Sequence, residues 1–335
     1  MSVQERLRYV DVAKGVGILL VVLGHSRFAD DGYWGCWVNS FHMPLFFVLA
    51  GYCFDEGKYP TYWDYVKRKV LALGYPYVML SVFTALMMTL FYIPHTLRYL
   101  KMLAQGGWEP SGFWFIRVLI AVELLYAGYG RIFRGKGIML EVGLLIAACI
   151  SAYRCFYFLE IGRMNTIFVS LLFYHIGKLC RPWHSVEFRA LYLAVGSLTM
   201  FVVLSLLVWF FVPVRAGYGG CYLGNPVVYL LTALSGTAFV VSGARALEDC
   251  RKMGMVVRGL AWLGKYSILL LAVHGGCGLC RHSWGTAFPI LSGWPSQMLE
   301  IVLICILMWL LSGPLKFFMR LPKGGCEERT GDESK

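Results

Sequence analysis

The sequence predicts an all-α fold: a polytopic bundle of about ten transmembrane helices with both termini in the cytoplasm. Three observations predict it. Of 335 residues, 58% are hydrophobic and 15% charged, with a mean hydropathy of +0.62. A water-soluble domain carries about 25% charged residues, and this chain could not cover its own surface with polar groups. Apolar runs of about 20 residues, the length that crosses a bilayer core, recur from end to end. Lys and Arg gather in every second connecting segment, as the positive-inside rule requires.

In lipid only helices and closed barrels satisfy their backbone hydrogen bonds, and these runs are too long and continuous for barrel strands. The first, 10–28, follows a short basic stretch with Arg6 and Arg8. A secretory leader would need a small-residue cleavage site soon after it, where Gly24-His25-Ser26-Arg27 stands instead, so it is read as a true span. The second and third, 38–54 and 70–93, enclose Lys58, Lys67, Arg68 and Lys69. The fourth and fifth, 113–131 and 138–154, enclose Arg131, Arg134 and Lys136. The sixth and seventh, 164–180 and 190–212, enclose Lys178, Arg181 and Arg189. The eighth and ninth, 224–243 and 260–280, enclose Arg245, Arg251, Lys252 and Arg258. The tenth, 298–318, leads into a tail with Arg320, Lys323, Arg329 and Lys335. With Lys316 included, 21 of the 31 Lys and Arg residues fall on the inner side and seven on the outer side. Residues 1–320 therefore read as one membrane domain, and the Gly- and charge-rich 321–335 as a disordered cytoplasmic tail.

The net charge of +12 would suggest a nucleic-acid partner in a soluble protein. Here the inner loops account for it, so membrane lipid is the expected partner and nucleic acid is not. Eleven cysteines form no metal-ligand pattern. Cys277 and Cys280 make one C-x-x-C within the ninth span, without further ligands at suitable spacing. No metal and no resident cofactor are expected.

Ionisable side chains inside spans are costly and mark function by default. They are Asp11, Lys14 and His25 in the first span, His42 in the second, Arg117 and Glu123 in the fourth, and Lys265 and His274 in the ninth. Lys14 and His25 are eleven residues apart, which at 100° per residue leaves them about 20° from alignment on one helix face. At 1.5 Å rise they are roughly 16 Å apart along the axis, and Asp11 is about 40° off that face. The topology puts His25, His42, Arg117, Glu123 and His274 at a similar depth on four helices, as one polar cavity open to the outside. Lys14 and Lys265 are also placed to snorkel to the inner surface, Arg117 to anchor the outer interface, and any one histidine to bridge two helices.

The stretch 8–26, RYVDVAKGVGILLVVLGHS, resembles the opening of the acyltransferase-3 family of membrane O-acyltransferases, a basic residue followed after ten residues by His. The segment FHMPLFFVLAGY (41–52) is similar to the family's second span, with Ala50 where Ser is common. KRKVLALGYPYVMLS (67–81) resembles its Arg followed by a Pro-Tyr pair. GFWFIRVLIAVELLY (112–126) and LGKYSILLLAVHGG (263–276) resemble later spans. The chain is most similar to the smaller, fucose-4-O-acetylase-like members that lack an extra soluble domain. The resemblance implies transfer of an acyl group, usually acetyl, from cytoplasmic acetyl-CoA to a sugar hydroxyl of an envelope glycan or its lipid-linked precursor. It also implies a multi-pass protein of the bacterial inner membrane.

Acyl transfer to an alcohol needs a base for the hydroxyl, stabilisation of an oxyanion, and exclusion of water. His25 is the expected base, with a covalent acyl-histidine as the open alternative. Asp11 orients or balances Lys14. Lys14 and Arg68 are placed to meet the phosphates of the acyl-CoA. His42, Arg117, Glu123 and His274 are expected to line the acceptor pocket, with Arg117 toward the oxyanion. A different class stands beside this reading, a proton-coupled transporter or flippase for a glycan precursor or small solute, which would neither bind CoA nor turn over acetyl-CoA. Acceptor identity, acyl length and oligomeric state are not legible in the sequence.

Overall fold

The computed structural model describes residues 7–25, 33–91, 113–133, 137–153, 163–182, 190–211 and 217–271, with isolated positions 302, 305–306, 309–310 and 313. Its named elements are helical: α1 Arg8–Gly24, α2 Tyr33–Asn39, α3 His42–Tyr52, α4 Tyr62–Lys69, α5 Tyr75–Phe91, α6 Trp114–Ile132, α7 Gly137–Ala152, α8 Met164–Cys180, α9 Ala190–Phe211, α10 Pro226–Asp249 and α11 Gly254–Lys265. Among the described residues there is no strand, only an isolated bridge between Gly217 and Tyr222.

Local sequence explains the starts and breaks. Thr61 caps α4: its hydroxyl accepts from the Asp64 N–H at 3.1 Å and donates to the Asp64 carboxylate at 2.7 Å, a reciprocal arrangement of the capping-box kind. Lys67, Arg68 and Lys69 occupy its last turn, where the helix dipole favours cations. A π-turn, Val70–Gly74, joins α4 to α5. Asn225 caps α10 by accepting from the Val227 and Val228 N–H groups at 3.1 and 3.2 Å, and Pro226 takes the first helical position, where its missing N–H costs nothing.

Two helices, α9 and α10, are long and apolar enough to cross a membrane by length and composition; α7 and α8 are apolar but shorter. The lipid-type surface is plain on α7 and α9, where Ile138, Met139, Ile146, Leu191, Tyr192, Phe210 and Phe211 are all exposed. Such continuous apolar exposure is unfavourable in water and favourable against acyl chains.

The expected second span, 38–54, is not one helix. The Ser40 hydroxyl donates to the Trp37 carbonyl at 2.8 Å, the chain turns, and α3 begins at His42 with Pro44 in its first turn, where proline is tolerated. The expected third span begins in the π-turn. The ninth is interrupted at Tyr266, after α11, and most of the tenth lies outside the described residues.

Helices approach closely at two crossings. A Cβ on Gly15 would lie 2.8 Å from the carbonyl carbon of Leu260, and one on Gly264 would lie 2.8 Å from the Gly15 nitrogen, so α1 and α11 touch backbone to backbone. Gly51 and Gly177 do the same between α3 and α8: their added Cβ atoms would lie 2.7 Å from the Tyr174 carbonyl carbon and 2.9 Å from the Tyr52 nitrogen. Small residues at such crossings are what allow helices to associate in lipid. Helix α3 thus sits between α1 and α8, with α10 packed on both α1 and α3 and α6 packed on α8.

Candidate functional site

Helices α1 and α3 run antiparallel, and this fixes two ends of the site. At one end Gly24 faces His42: a Cβ there would lie 3.9 Å from the His42 Cε1 atom. At the other end the Tyr9 and Tyr52 hydroxyls are 2.5 Å apart.

His25 follows Gly24 directly, as the C-cap residue of α1, with its own N–H bonded to the Val21 carbonyl at 3.1 Å. It is exposed. His42 is buried at the first position of α3. Its Nδ1–H donates to the Val38 carbonyl at 2.7 Å, which fixes the tautomer and leaves the lone pair on Nε2. The structure thus places His25 in the chain directly after the residue that faces His42. His274 lies outside the described residues.

Helix α1 is unbroken from Arg8 to Gly24, so the spacing between Lys14 and His25 is helical throughout, roughly 16 Å by rise. Lys14 is half-buried. Asp11 is buried, and its main chain is part of the α1–α11 contact through Gly264. Arg117 is half-buried on α6, two residues after Phe115, whose ring packs on Phe46 and Phe47 of α3 at 5.6 and 5.2 Å.

Glu123 is held apart from His42 by its partners. It is buried, and its carboxylate accepts from Lys69 Nζ at 2.8 Å, from the Tyr174 hydroxyl at 2.8 Å and from the Tyr65 hydroxyl. Tyr174 abuts Gly51, nine residues along α3 from His42, about 13 Å by helical rise. The reason is the depth of α4. That helix packs against α6 and carries Lys69 in to meet the carboxylate, where sequence reasoning held Lys69 in the inner loop.

Cations collect at this second end. Arg245 lies over the Tyr9 ring at 5.4 Å. Lys178 lies 5.5 Å from both the Phe54 and Tyr126 rings. Arg181 donates to the Phe54 carbonyl at 2.6 Å and to the Asp55 carboxylate at 2.9 Å, and this contact holds Asp55 below the usual carboxylate range. Arg68 is exposed on α4.

Sequence reasoning also passed over His175. It is buried in α8, with Nδ1 2.8 Å from the Tyr126 hydroxyl and no partner for Nε2 among the described residues. The criterion applied to other spans, an ionisable side chain in an apolar run, would have found it.

The arrangement thus has two ends: His42 and the His25-capped end of α1 at one, and Lys69, Lys178, Arg181 and Arg245 with buried His175 at the other, with α1 running between them. No curated protein and no solved structure matches the chain. A family model does: that of the acyltransferase-3 family, described as an acyltransferase domain, covers residues 7–316. That match takes in both ends of the site and every helix that builds it, and the chain accordingly belongs to the acyltransferase-3 family of membrane-integral acyltransferases.

Proposed function

We propose that this acyltransferase takes an acetyl group from cytoplasmic acetyl-CoA and transfers it to a sugar hydroxyl, on an envelope polysaccharide or its lipid-linked precursor, in the bacterial inner membrane. The observation that carries this reading is that α1, unbroken from Arg8 to Gly24 and bearing Lys14, brings its C-terminal end, which His25 caps, up to His42 of α3. The Arg- and Lys-rich end suits the CoA phosphates, with Lys14 and Arg68 as their ligands. The extended pantetheine arm covers the roughly 16 Å from Lys14 to His25.

In the reaction, His25 accepts the proton of the acceptor hydroxyl as the oxygen attacks the thioester carbonyl. The tetrahedral oxyanion gains from a nearby guanidinium, for which Arg117 is the candidate. The C–S bond then breaks, the ester forms, and the CoA thiolate takes up the proton held on His25. His42, with its Nε2 lone pair available, lies on the acceptor side. A covalent acyl-histidine route uses the same groups with the hydroxyl attacking second. Asp11 balances Lys14 in either route. No metal or resident cofactor enters.

The test is CoA release from acetyl-CoA by the purified protein in detergent, read by chromatography with and without membrane glycans as acceptors. Release stimulated by acceptor supports the reading. Absence of both CoA binding and CoA release overturns it and favours a carrier.

A further inference from the structure

The buried carboxylate of Glu123 has three donors on two other elements, and two of them, Tyr65 and Lys69, belong to α4. Tyr62 adds a third tie from that helix, its hydroxyl donating to the Leu124 carbonyl at 3.2 Å, while Arg131 lies over its ring at 5.7 Å. Tyr62, Tyr65 and Lys69 fall within about 60° of one another on α4. Arg68 is rotated about 60° off Tyr65 on the flank of that face, and it is exposed. The carboxylate has the Tyr174 hydroxyl at 2.8 Å on its α8 side, so it ties α4, α6 and α8 at one point.

A polar network of this kind does little for stability compared with an apolar substitute. What such a network can supply instead is the selection of one geometry among several. The element whose geometry it fixes is a short amphipathic helix carrying Lys67, Arg68 and Lys69 in its last turn, followed at once by the π-turn Val70–Gly74. A π-turn is a local irregularity that often accompanies function, and the ties to Glu123 hold the helical turn immediately before it.

We propose that Glu123 is a positioning residue for the acyl donor: through Lys69 and Tyr65 it sets the rotation of α4 and so the direction in which Arg68 presents its guanidinium to the phosphates of CoA. This rests on the acyl-CoA reading above. It moves Glu123 from the acceptor side to the donor side, and Glu123 touches no substrate in this role.

The experiment measures coenzyme A binding to the purified full chain in detergent, with acetyl transfer kinetics beside it, for wild type, Glu123→Gln, Lys69→Met, Arg68→Ala and the double variants Glu123→Gln/Arg68→Ala and Lys69→Met/Arg68→Ala. Size-exclusion profiles show which variants fold, and Lys69→Met, at a partly exposed position, serves if Glu123→Gln does not. The expected result is a roughly tenfold weaker CoA affinity and raised KM for acetyl-CoA in each single variant, with kcat within about twofold, and no further loss in either double variant. Losses that multiply in the double variants, or a fall in kcat with KM unchanged, would overturn the positioning role while leaving the enzyme class standing. Wild type that binds no CoA would overturn the acyl-CoA reading and this inference with it.

Discussion

Replacing Gly15 by alanine adds one methyl group at the point where α1 meets α11. That Cβ would lie 2.8 Å from the Leu260 carbonyl carbon and 3.2 Å from its Cα, whereas carbon atoms rest about 3.5–4.0 Å apart. Both sides of the contact are main chain, so no rotamer change relieves it, and the helices must part by about 1 Å. If some 40 atom pairs at about 0.1–0.2 kcal/mol each hold the crossing, a gap of that size forfeits a quarter to a half of them, about 1–4 kcal/mol. The gain in helix propensity returns up to about 1 kcal/mol, leaving a net loss of up to about 3 kcal/mol and about 1.5 kcal/mol at mid-range, in line with overpacked cores. The matched control is Gly196→Ala on α9, where an added Cβ meets nothing within 4 Å. There the same substitution should stabilise by about 0.5–1 kcal/mol. Unfolding by sodium dodecyl sulfate titration in mixed micelles, or thermal unfolding followed by size exclusion, reads both. Equal effects at the two sites, or a Gly15→Ala protein as stable as wild type, would refute the backbone-to-backbone crossing.

Further predictions address other parts of the molecule. Tyr218→Phe removes the hydroxyl 2.8 Å from Ser170 while Ser170 keeps its bond to the Thr166 carbonyl, so unfolding measurements should show a loss of about 1 kcal/mol. Asp55 is held below its ordinary 3.8 by Arg181, so its contribution to stability is complete above that value and disappears as pH falls through the lower folded value. Because both side chains are about a third exposed, Asp55→Asn should cost under about 1 kcal/mol at pH 7, and its difference from wild type should vanish in melts taken well below pH 4. Arg68→Ala should raise KM for acetyl-CoA and leave the thermal transition unchanged, since its guanidinium is exposed on α4.

The fold class was legible because hydropathy over windows of about 20 residues is insensitive to detail. The same averaging concealed the break at Ser40 and Phe41, where one hydroxyl bonded to the Trp37 carbonyl ends α2. The meeting of the C-terminal end of α1 with the start of α3 at His42 followed from topology. That of Glu123 with Lys69 did not, because Lys69 belongs to a Lys-Arg-Lys cluster that the positive-inside rule already explained. Depth was assigned to Glu123 from its place along α6, and only the side-chain packing of α4 shows which way the carboxylate is engaged. His175 needed no structure to be found; it needed the ionisable-residue criterion applied to the sixth span as to the others.

The central claim is that His25 removes the acceptor's proton. The direct measurement is transfer of radiolabelled acetyl from acetyl-CoA into a glycan fraction by membranes holding wild type or His25→Ala at matched expression. The account predicts label in wild type and a fall of about 10²- to 10⁴-fold in the variant, the range for loss of a general base, with CoA still bound by both. Equal labelling by the two proteins would contradict it and pass the role to His42.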